Sequence, residues 1–195
     1  LQWELRPTSY ELAGKALGLV GFGRIGGEVA RRAAAFDARV VYFDPLVSSS
    51  ASVTAERVDT LSALLVSSDI VSLHVPLTAE NRNLISVGSL AQMKRGAYLI
   101  NTARGGLVDE VALVAALDSG HLAGAGLDVL NQEPPPVNHP LLQRGNVIVT
   151  PHISAGTRDA LAIKMRAAFA NLVRHTRGAP LLNLVPELAE LNHGN

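Results

Sequence analysis

The chain has 195 residues, enough for one large domain or two small ones, and 48% of them are hydrophobic, which favours a substantial buried core over disorder. Its 17 basic and 17 acidic residues give a formal net charge of zero, which removes the usual electrostatic reason to bind nucleic acid or an anionic membrane. The absence of cysteine excludes a disulfide scaffold, a thiol nucleophile and a cysteine-ligated metal site, and it fits a cytoplasmic location.

Short aliphatic or β-branched runs alternate with longer Ala- and Leu-rich stretches. Strands are predicted, in chain order, at residues 17–21, 39–43, 70–75, 97–100, 122–129 and 147–149. Helices are predicted at residues 24–36, 61–66, 109–117 and 158–175, with a Ser-rich loop at 48–52 and a Pro-rich loop at 133–136. Apolar strands separated by helices indicate a parallel sheet covered on both faces. The predicted fold is therefore a doubly wound, Rossmann-like α/β sheet.

The first predicted strand and helix are joined by Gly21-Phe22-Gly23-Arg24-Ile25-Gly26, a G-x-G-x-x-G motif. By itself the motif is a weak signal, since a glycine-rich turn between strand and helix also occurs without a ligand. In this context Gly21 would permit the tight turn, Gly23 a close approach of the backbone to a pyrophosphate, and Gly26 close packing of the helix on the strand. The N–H groups at the helix start would then face the anion.

Asp44 ends the second predicted strand, 23 residues after Gly21, close to the spacing of about 20 expected for a ribose-binding acid. Two interpretations are open. Asp44 is either a turn residue before Pro45 or a carboxylate that accepts hydrogen bonds from both ribose hydroxyls and repels a 2′-phosphate. With the glycine motif in register, we predict dinucleotide binding, with NAD preferred to NADP.

Three polar segments follow predicted strands, where open α/β sheets bind ligands. Arg104 offers a planar guanidinium that could grip a carboxylate, or it is a surface residue in a turn. Glu133 lies in the Pro-rich loop, and His152 directly follows the last strand of the sheet. A histidine exchanges protons near neutral pH, but a lone histidine is more often structural. From spacing alone, these three residues form only a candidate site for hydride transfer with a nicotinamide cofactor.

The remaining histidines carry weaker signals. His74 also ends a strand and has the same ambiguity as His152, whereas four others are predicted to be surface residues: His121, His139, His175 and His193. Their spacing is not that of metal ligands, so no metal site is predicted. No serine lies on a strand-turn-helix elbow, so a nucleophilic serine is not supported.

Five stretches carry a resemblance to a known family. They are residues 12–26 (LAGKALGLVGFGRIG), 68–78 (SDIVSLHVPLT), 101–109 (NTARGGLVD), 126–129 (GLDV) with Glu133-Pro134, and 151–155 (PHISA). In this order, and over nearly the whole chain, they resemble the cofactor domain of the D-isomer-specific 2-hydroxyacid dehydrogenases. Together they are far more specific than the glycine motif alone.

The resemblance implies roles for individual residues. His152 would be the general acid in reduction of a 2-oxo acid and the base in the reverse reaction, and Glu133 would pair with it and tune its pKa. Arg104 would bind the substrate carboxylate and polarise the carbonyl. The implied NAD contacts are Gly21, Gly23, Arg24, Ile25, Gly26, Asp44 at the adenine ribose, Val75, Pro76, Thr102, Ala103, Arg104, Asp128 at the nicotinamide carboxamide, His152 and Ala155.

Departures from the family pattern are small. Asn81 stands where the family often has threonine, a change that should keep a polar contact. Glu133 stands where formate-oxidising relatives typically have glutamine, which disfavours that activity. Phe43-Asp44-Pro45 lacks the basic residues that NADP-preferring relatives add near this acid.

The resemblance also implies a second, substrate-binding domain, built mainly from roughly the first hundred residues of such proteins. We expect it to be largely missing from this chain. The predicted organisation is a dinucleotide-binding domain with an N-terminal hinge over residues 1–155, followed by a C-terminal helix and return segment over residues 156–195. Alone, such a fragment would lack one wall of the substrate pocket and be inactive or impaired. Relatives commonly dimerise through this domain, so a homodimer is expected.

Three functional hypotheses follow. The first is an NAD-dependent D-2-hydroxyacid dehydrogenase that acts on a small 2-oxo or 2-hydroxy acid. The alternative is an NAD(H)-sensing binding module of the corepressor type, which shares the fold and the Arg, Glu and His trio. A Rossmann domain that has lost its function is disfavoured by the presence of Arg104, Glu133 and His152. Substitution of His152 by alanine distinguishes the first two, since an enzyme loses turnover whereas a sensor keeps its partner binding.

Overall fold

The computed structural model describes residues 9–47 and 55–184 of the chain. The predicted Ser-rich loop, residues 48–52, lies outside these residues, and so does most of the predicted N-terminal hinge. The chain forms two compact units, residues 1–151 and residues 152–195.

The first unit is built around a parallel sheet. Its strands are β1 Ala16–Val20, β2 Arg39–Phe43, β3 Glu56–Arg57, β4 Ile70–Leu73, β5 Ala97–Asn101, β6 Leu122–Leu127 and β7 Val147–Val149. Its helices are α1 Arg24–Ala34, α2 Leu61–Ser67, α3 Val87–Gln92 and α4 Glu110–Asp118, with 3₁₀ turns at Gly105–Leu107 and Pro140–Gln143. The strand order is β3-β2-β1-β4-β5-β6-β7, and every neighbouring pair is parallel. The predicted doubly wound α/β fold is confirmed.

Strand side chains alternate between two hydrophobic clusters, one on each face of the sheet. In β1, Leu19 packs in the cluster that contains Ala30 of α1, whereas its neighbour Val20 packs in the cluster that contains Leu64 of α2. Because successive side chains of a strand point to opposite faces, α1 covers one face, and α2 covers the other. This two-sided burial explains why the strands read as continuous apolar runs.

The strand order reverses at β1, which is flanked by β2 on one side and β4 on the other. The connections that follow β1 and β4 therefore leave the sheet in opposite directions. In sheets of this kind a crevice opens at the carboxyl ends of the two strands, and ligands bind there. The glycine motif follows β1 directly, so the topology alone puts it at this switch point.

Two predicted strands end earlier than expected. β4 ends at Leu73 rather than at residue 75, and β6 ends at Leu127 rather than at residue 129. His74 and Asp128 directly follow the two strands, and the sequence is apolar again at Val75 and Val129, but these residues lie outside the ladder. Apolar character alone does not separate a paired strand residue from a buried loop residue.

Two short elements were missed. β3 has two residues, both exposed, and α3 buries only Leu90. Neither shows a hydrophobic period, since a single buried residue defines none. α3 begins instead with a polar cap, in which the Ser86 hydroxyl accepts a hydrogen bond from the backbone N–H of Ser89.

The second unit is described over residues 152–184, and its main element is α5, Arg158–Thr176. Thr157 caps the helix by accepting a hydrogen bond from the backbone N–H of Ala160. The Asn171 side chain both donates to and accepts from the backbone of Leu182, which holds the following segment against the helix. Within the described ranges, no helix is long and apolar enough to cross a membrane.

Candidate functional site

The register of the sheet brings to one edge the residues that follow six strands, and most of these residues are polar. The aligned last pairs are Phe43, Val20, Leu73, Asn101, Leu127 and Val149. The residues that follow them in the chain are therefore neighbours along the carboxyl edge: Asp44, Gly21, His74, Thr102, Asp128 and Thr150. Four of these were predicted cofactor contacts, and they come from segments spread over about half of the chain.

The glycine motif forms a tight turn against the end of β4. Gly21 has a φ of +95°, which L side chains rarely adopt, and a Cβ there would lie 2.6 Å from the carbonyl oxygen of His74. A Cβ on Gly26 would overlap the carbonyl oxygen of Gly21. A Cβ on Gly23 would meet nothing within 4 Å, and no side chain caps α1 at this residue. The turn thus leaves open space at a helix start, where an anion is favoured.

The Asp44 carboxylate ties the end of β2 to this turn. It is 9% exposed; Oδ2 accepts a hydrogen bond of 2.8 Å from the backbone N–H of Phe22, and Oδ1 accepts from Leu46 and Val47 at 2.8 and 3.2 Å. Each carboxylate oxygen has two acceptor positions, so these three bonds leave one position, on Oδ2, for a ribose hydroxyl. The turn interpretation of Asp44 is therefore correct, and it does not displace the interpretation as a ribose ligand.

Two cavities meet at the switch point and share Ile25 and His74. The wider one, about 740 Å³, lies over the start of α1 and is lined by Gly23, Arg24, Ile25, Glu28, Val29, Arg32 and His74. The narrower one, about 210 Å³, is lined by Ile25, Leu73, His74, Val75, Pro76, Thr102, Ala103 and Arg104. Six of the predicted cofactor contacts line the narrower cavity or both. An elongated ligand that follows the edge would pass from the glycine turn towards Arg104.

His74 is a half-buried residue of this cleft, and sequence reasoning left its role open. Its Nε2 lies 3.0 Å from the Oγ of the buried Ser72. Burial lowers the pKa of the His74 imidazole, because a charged ring would lose its hydration. The cleft therefore presents a neutral imidazole near pH 7.

Asn101 fixes the segment that carries Arg104. Its side chain is 1% exposed; Oδ1 accepts a hydrogen bond from the backbone N–H of Ala103, and Nδ2 donates to the carbonyl of Arg104. Arg104 itself is exposed, and its Nη1 donates to the carbonyl oxygen of Ala103 at 2.6 Å. A buried amide thus holds the loop while the guanidinium stays accessible to an anionic ligand.

The loop of Arg104 touches the loop that carries Glu133. A Cβ on Gly105 would overlap the carbonyl group of Leu130 and lie 2.5 Å from the backbone nitrogen of Asn131. Glu133 is exposed, and its Oε1 accepts a hydrogen bond of 3.0 Å from the backbone N–H of Leu130. The structure therefore brings the Arg104 and Glu133 segments into backbone contact, which spacing in the sequence did not predict.

Asp128 links the ends of three strands. It is 4% exposed; its Oδ1 accepts a hydrogen bond of 2.6 Å from the hydroxyl of Thr150, and its backbone N–H donates to the carbonyl of Asn101. Asn81 closes a turn in the segment after β4, since its side chain accepts from the N–H of Thr78 and donates to the carbonyl of Pro76, both at 2.7 Å. These are the polar contacts that Asn81 makes where the family often has threonine.

His152 and Ala155 belong to the second unit, and both are exposed. The backbone of His152 has a φ of +52°, in the left-handed region that few non-glycine residues adopt. Their predicted roles stay predictions.

His139 is not a surface residue, and in this respect the sequence interpretation was wrong. Its side chain is 12% exposed, its Nε2 lies 3.3 Å from Oε2 of Glu110, and its Nδ1 accepts from the backbone N–H of Leu141. Glu110 is the first residue of α4, where an acid is also favoured by the helix dipole. Because an acid is common at this position of a helix, the sequence gives no sign that Glu110 contacts His139.

Residues 1–154 match the family described as the NAD-binding domain of D-isomer-specific 2-hydroxyacid dehydrogenases. The chain belongs to this family. Its cofactor is accordingly NAD, in agreement with the glycine turn and the acid that ends β2.

Individual relatives agree with the family assignment. The chain is 46% identical over 173 residues to a glyoxylate reductase of Thermofilum pendens, covering 88% of this chain and 51% of that protein. It is 43% identical to a D-3-phosphoglycerate dehydrogenase of Archaeoglobus fulgidus, covering 94% of this chain and 35% of that one. A structure of D-lactate dehydrogenase with NAD⁺ from Lactobacillus jensenii superposes with a TM-score of 0.85 at 33% identity, covering 91% and 57% of the two chains. The chain thus spans about a third to about half the length of these relatives.

Proposed function

We propose that this chain is the cofactor-binding part of an oxidoreductase that transfers a hydride between NAD(H) and a small 2-hydroxy or 2-oxo acid. The observation that carries the proposal is the backbone contact between the Arg104 and Glu133 segments beside the NAD cleft. An exposed guanidinium and an exposed carboxylate are thereby held on adjoining loops at the carboxyl edge of the sheet, where a nicotinamide ring would end.

In the proposed reaction each side chain has one task. Arg104 holds the substrate carboxylate through paired hydrogen bonds and draws electron density from the carbonyl. His152 gives its proton to the oxygen of the 2-oxo acid as the hydride arrives at carbon, and it takes a proton back in the oxidation. Glu133 pairs with the imidazole and stabilises its protonated form, the role that the family resemblance implies. In the reduction NADH would supply only the hydride, so the proton and the orientation come from the protein.

The proposal is tested by following NADH consumption with a panel of 2-oxo acids: glyoxylate, hydroxypyruvate, pyruvate and phenylpyruvate. The longest chain that the gene encodes should be used, because the substrate pocket extends beyond this domain in the family. We expect turnover with at least one of these acids and a loss of kcat of about 10²–10⁴-fold in His152→Ala, the usual contribution of a general acid. NADH affinity should change little.

His175→Ala is the matched control, since His175 is an exposed residue near the end of α5. It should behave like the unmodified protein. Turnover that survives in His152→Ala would remove the assigned acid, and NADH binding without turnover of any of the acids would contradict the proposed reaction.

We propose further that the protein works as a homodimer in the cytoplasm. The family resemblance supports the dimer, and a chain without cysteine suits a reducing compartment. The formal net charge of zero gives no electrostatic reason to expect nucleic acid or membrane partners.

A further inference from the structure

Glu110 lies at the foot of the loop that carries Glu133, although nothing in the proposed reaction uses it. Its Oε1 accepts a hydrogen bond of 2.7 Å from the backbone N–H of Asn131, two residues before Glu133. Its Oε2 lies 3.3 Å from Nε2 of His139, six residues after Glu133. The side chains of Glu110 and His139 are only 15% and 12% exposed. One carboxylate therefore contacts the loop on both sides of Glu133.

The two contacts of Glu110 require two hydrogen-bond acceptors on its side chain. The Nδ1 of His139 accepts a hydrogen bond from the backbone N–H of Leu141, so the neutral ring carries its proton on Nε2. Two donors, Nε2–H of His139 and N–H of Asn131, then converge on the two carboxylate oxygens of Glu110. An amide of the same size could satisfy only one of them, because its NH₂ group would face the other donor.

If Glu110 served only to stabilise its own helix, it would need no contacts outside α4. An acid in the first turn of a helix is stabilised by the helix dipole, but this effect needs no partner outside the helix. The cap of α4 is already supplied by Asp109, whose Oδ1 accepts from the N–H groups of Val111 and Ala112. Glu110 instead points its oxygens at a loop 21 and 29 residues away in the sequence.

We infer that Glu110 is a positioning residue for catalysis: together with His139, it holds the 131–139 loop so that Glu133 stays in place beside the substrate site. A second contact supports the same loop, since the side chain of Asn131 donates to the carbonyl of Val108, just before α4. Gly105 meets the backbone of this loop from the Arg104 side. The loop is thus clamped between α4 and the Arg104 segment. The inference rests on the proposed function, because it acts through Glu133.

The test is a double-mutant cycle in the longest chain that the gene encodes. Glu110→Gln should lower kcat/KM for the 2-oxo acid by about 10-fold to 100-fold, as expected for a displacement of a catalytic group by about 1 Å, while NADH affinity stays within about twofold. In a Glu133→Gln background the same change should have almost no effect, because the group that it positions is already gone.

Two further variants guard against a general structural effect. His139→Asn keeps a cap acceptor for the N–H of Leu141, but its shorter side chain has no N–H at the place of Nε2 to reach Glu110, and it should reproduce Glu110→Gln. Asp118→Asn, at the other end of α4, breaks a carboxylate contact to Arg144 and should leave kcat/KM unchanged.

The outcomes separate the two proposals. Absence of turnover in the unmodified protein would overturn the proposed function. Turnover that falls in Glu133→Gln but not in Glu110→Gln or His139→Asn would overturn the positioning role alone. Additive losses in the double variant would also overturn it, since Glu110 would then act independently of Glu133.

Discussion

The glycines of the nucleotide-binding turn have different surroundings, and each surrounding sets a different constraint. Gly21 and Gly26 are packed against backbone atoms. A side chain at Gly21 would push the turn away from the end of β4, and a side chain at Gly26 would push α1 away from the turn. Gly23 has open space around its missing side chain, and so does Gly27 one residue beyond the motif. The close packing at Gly21 and Gly26 constrains folding, whereas the open space at Gly23 matters for ligand binding.

Gly23→Ala and Gly26→Ala should therefore separate binding from stability. We expect Gly23→Ala to keep the free energy of unfolding and to weaken NADH binding by at least about tenfold, equivalent to about 1.4 kcal/mol, because its methyl group would occupy the place of the pyrophosphate. Gly26→Ala should lower the free energy of unfolding by about 1–3 kcal/mol through overpacking. Denaturant titration and NADH titration by fluorescence measure the two quantities.

Gly27→Ala is the control for both variants. Its side chain would meet nothing within 4 Å on the same helix, and alanine favours a helix over glycine by about 1 kcal/mol. It should therefore unfold at an equal or higher denaturant concentration. Tight NADH binding by Gly23→Ala would show that the cofactor does not pass close to this backbone.

At the scale of elements, the site depends on loops that are rigid because other loops hold them. Asn101 holds the Arg104 segment from inside the sheet, and Gly105 packs that segment on the backbone of the Glu133 loop. Glu110 then clamps the second loop from α4. Such mutual support is what a reaction needs when small displacements of catalytic groups cost orders of magnitude in rate.

Gly105→Ala should break this arrangement at one point. The added Cβ would overlap the carbonyl of Leu130, so the two loops must separate. We expect kcat/KM to fall by at least about 100-fold, as for a 1 Å displacement of catalytic groups, with a smaller effect on NADH affinity. Steady-state kinetics with the active 2-oxo acid measure the change.

Gly88→Ala provides the comparison, because a Cβ at this position of α3 would lie at an ordinary distance of 3.8 Å from the Ser86 hydroxyl. It should leave kcat/KM unchanged. Equal kinetics for the two alanine variants would contradict a catalytic need for the loop contact.

At the scale of the whole molecule, burial couples stability to pH. Burial lowers the pKa of His74 below its ordinary value of about 6.5, so the unfolded chain binds protons more readily than the folded one. Burial alone would raise the pKa of Asp69, but hydrogen bonds from Lys94 and from the N–H of Ala16 outweigh it and lower that pKa below 3.8. Both shifts make the folded state less stable in acid, in separate pH ranges.

The His74 contribution should appear first on acidification. It is complete above the pKa of the unfolded chain, near 6.5, and is lost as the pH falls through the folded pKa. The free energy of unfolding should therefore decrease as the pH falls below about 6.5, and the decrease should be smaller in His74→Gln. Urea unfolding over this range measures it, with His175→Gln, at an exposed site, expected to follow the unmodified protein. An identical pH dependence for His74→Gln would exclude His74 as the source.

The sequence by itself determined what depends on neighbouring residues. Apolar strand runs separated by helices predicted the parallel sheet, and the spacing of Gly21, Gly23 and Gly26 with Asp44 predicted the nucleotide turn. Both signals are local, because strand and helix periodicity and the turn geometry of glycine act over a few residues. Asp109 likewise capped α4 as predicted.

Only the tertiary structure decided where the strands end and which loops meet. The early ends of β4 and β6 follow from the pairing of the strands, and the contact of Gly105 with Leu130 and the burial of His139 against Glu110 follow from the packing of loops. The two side-chain and loop contacts each join segments more than twenty residues apart through a few atoms. Single contacts of this kind leave no period or composition in the sequence, since their partners are chosen by packing rather than by local propensity.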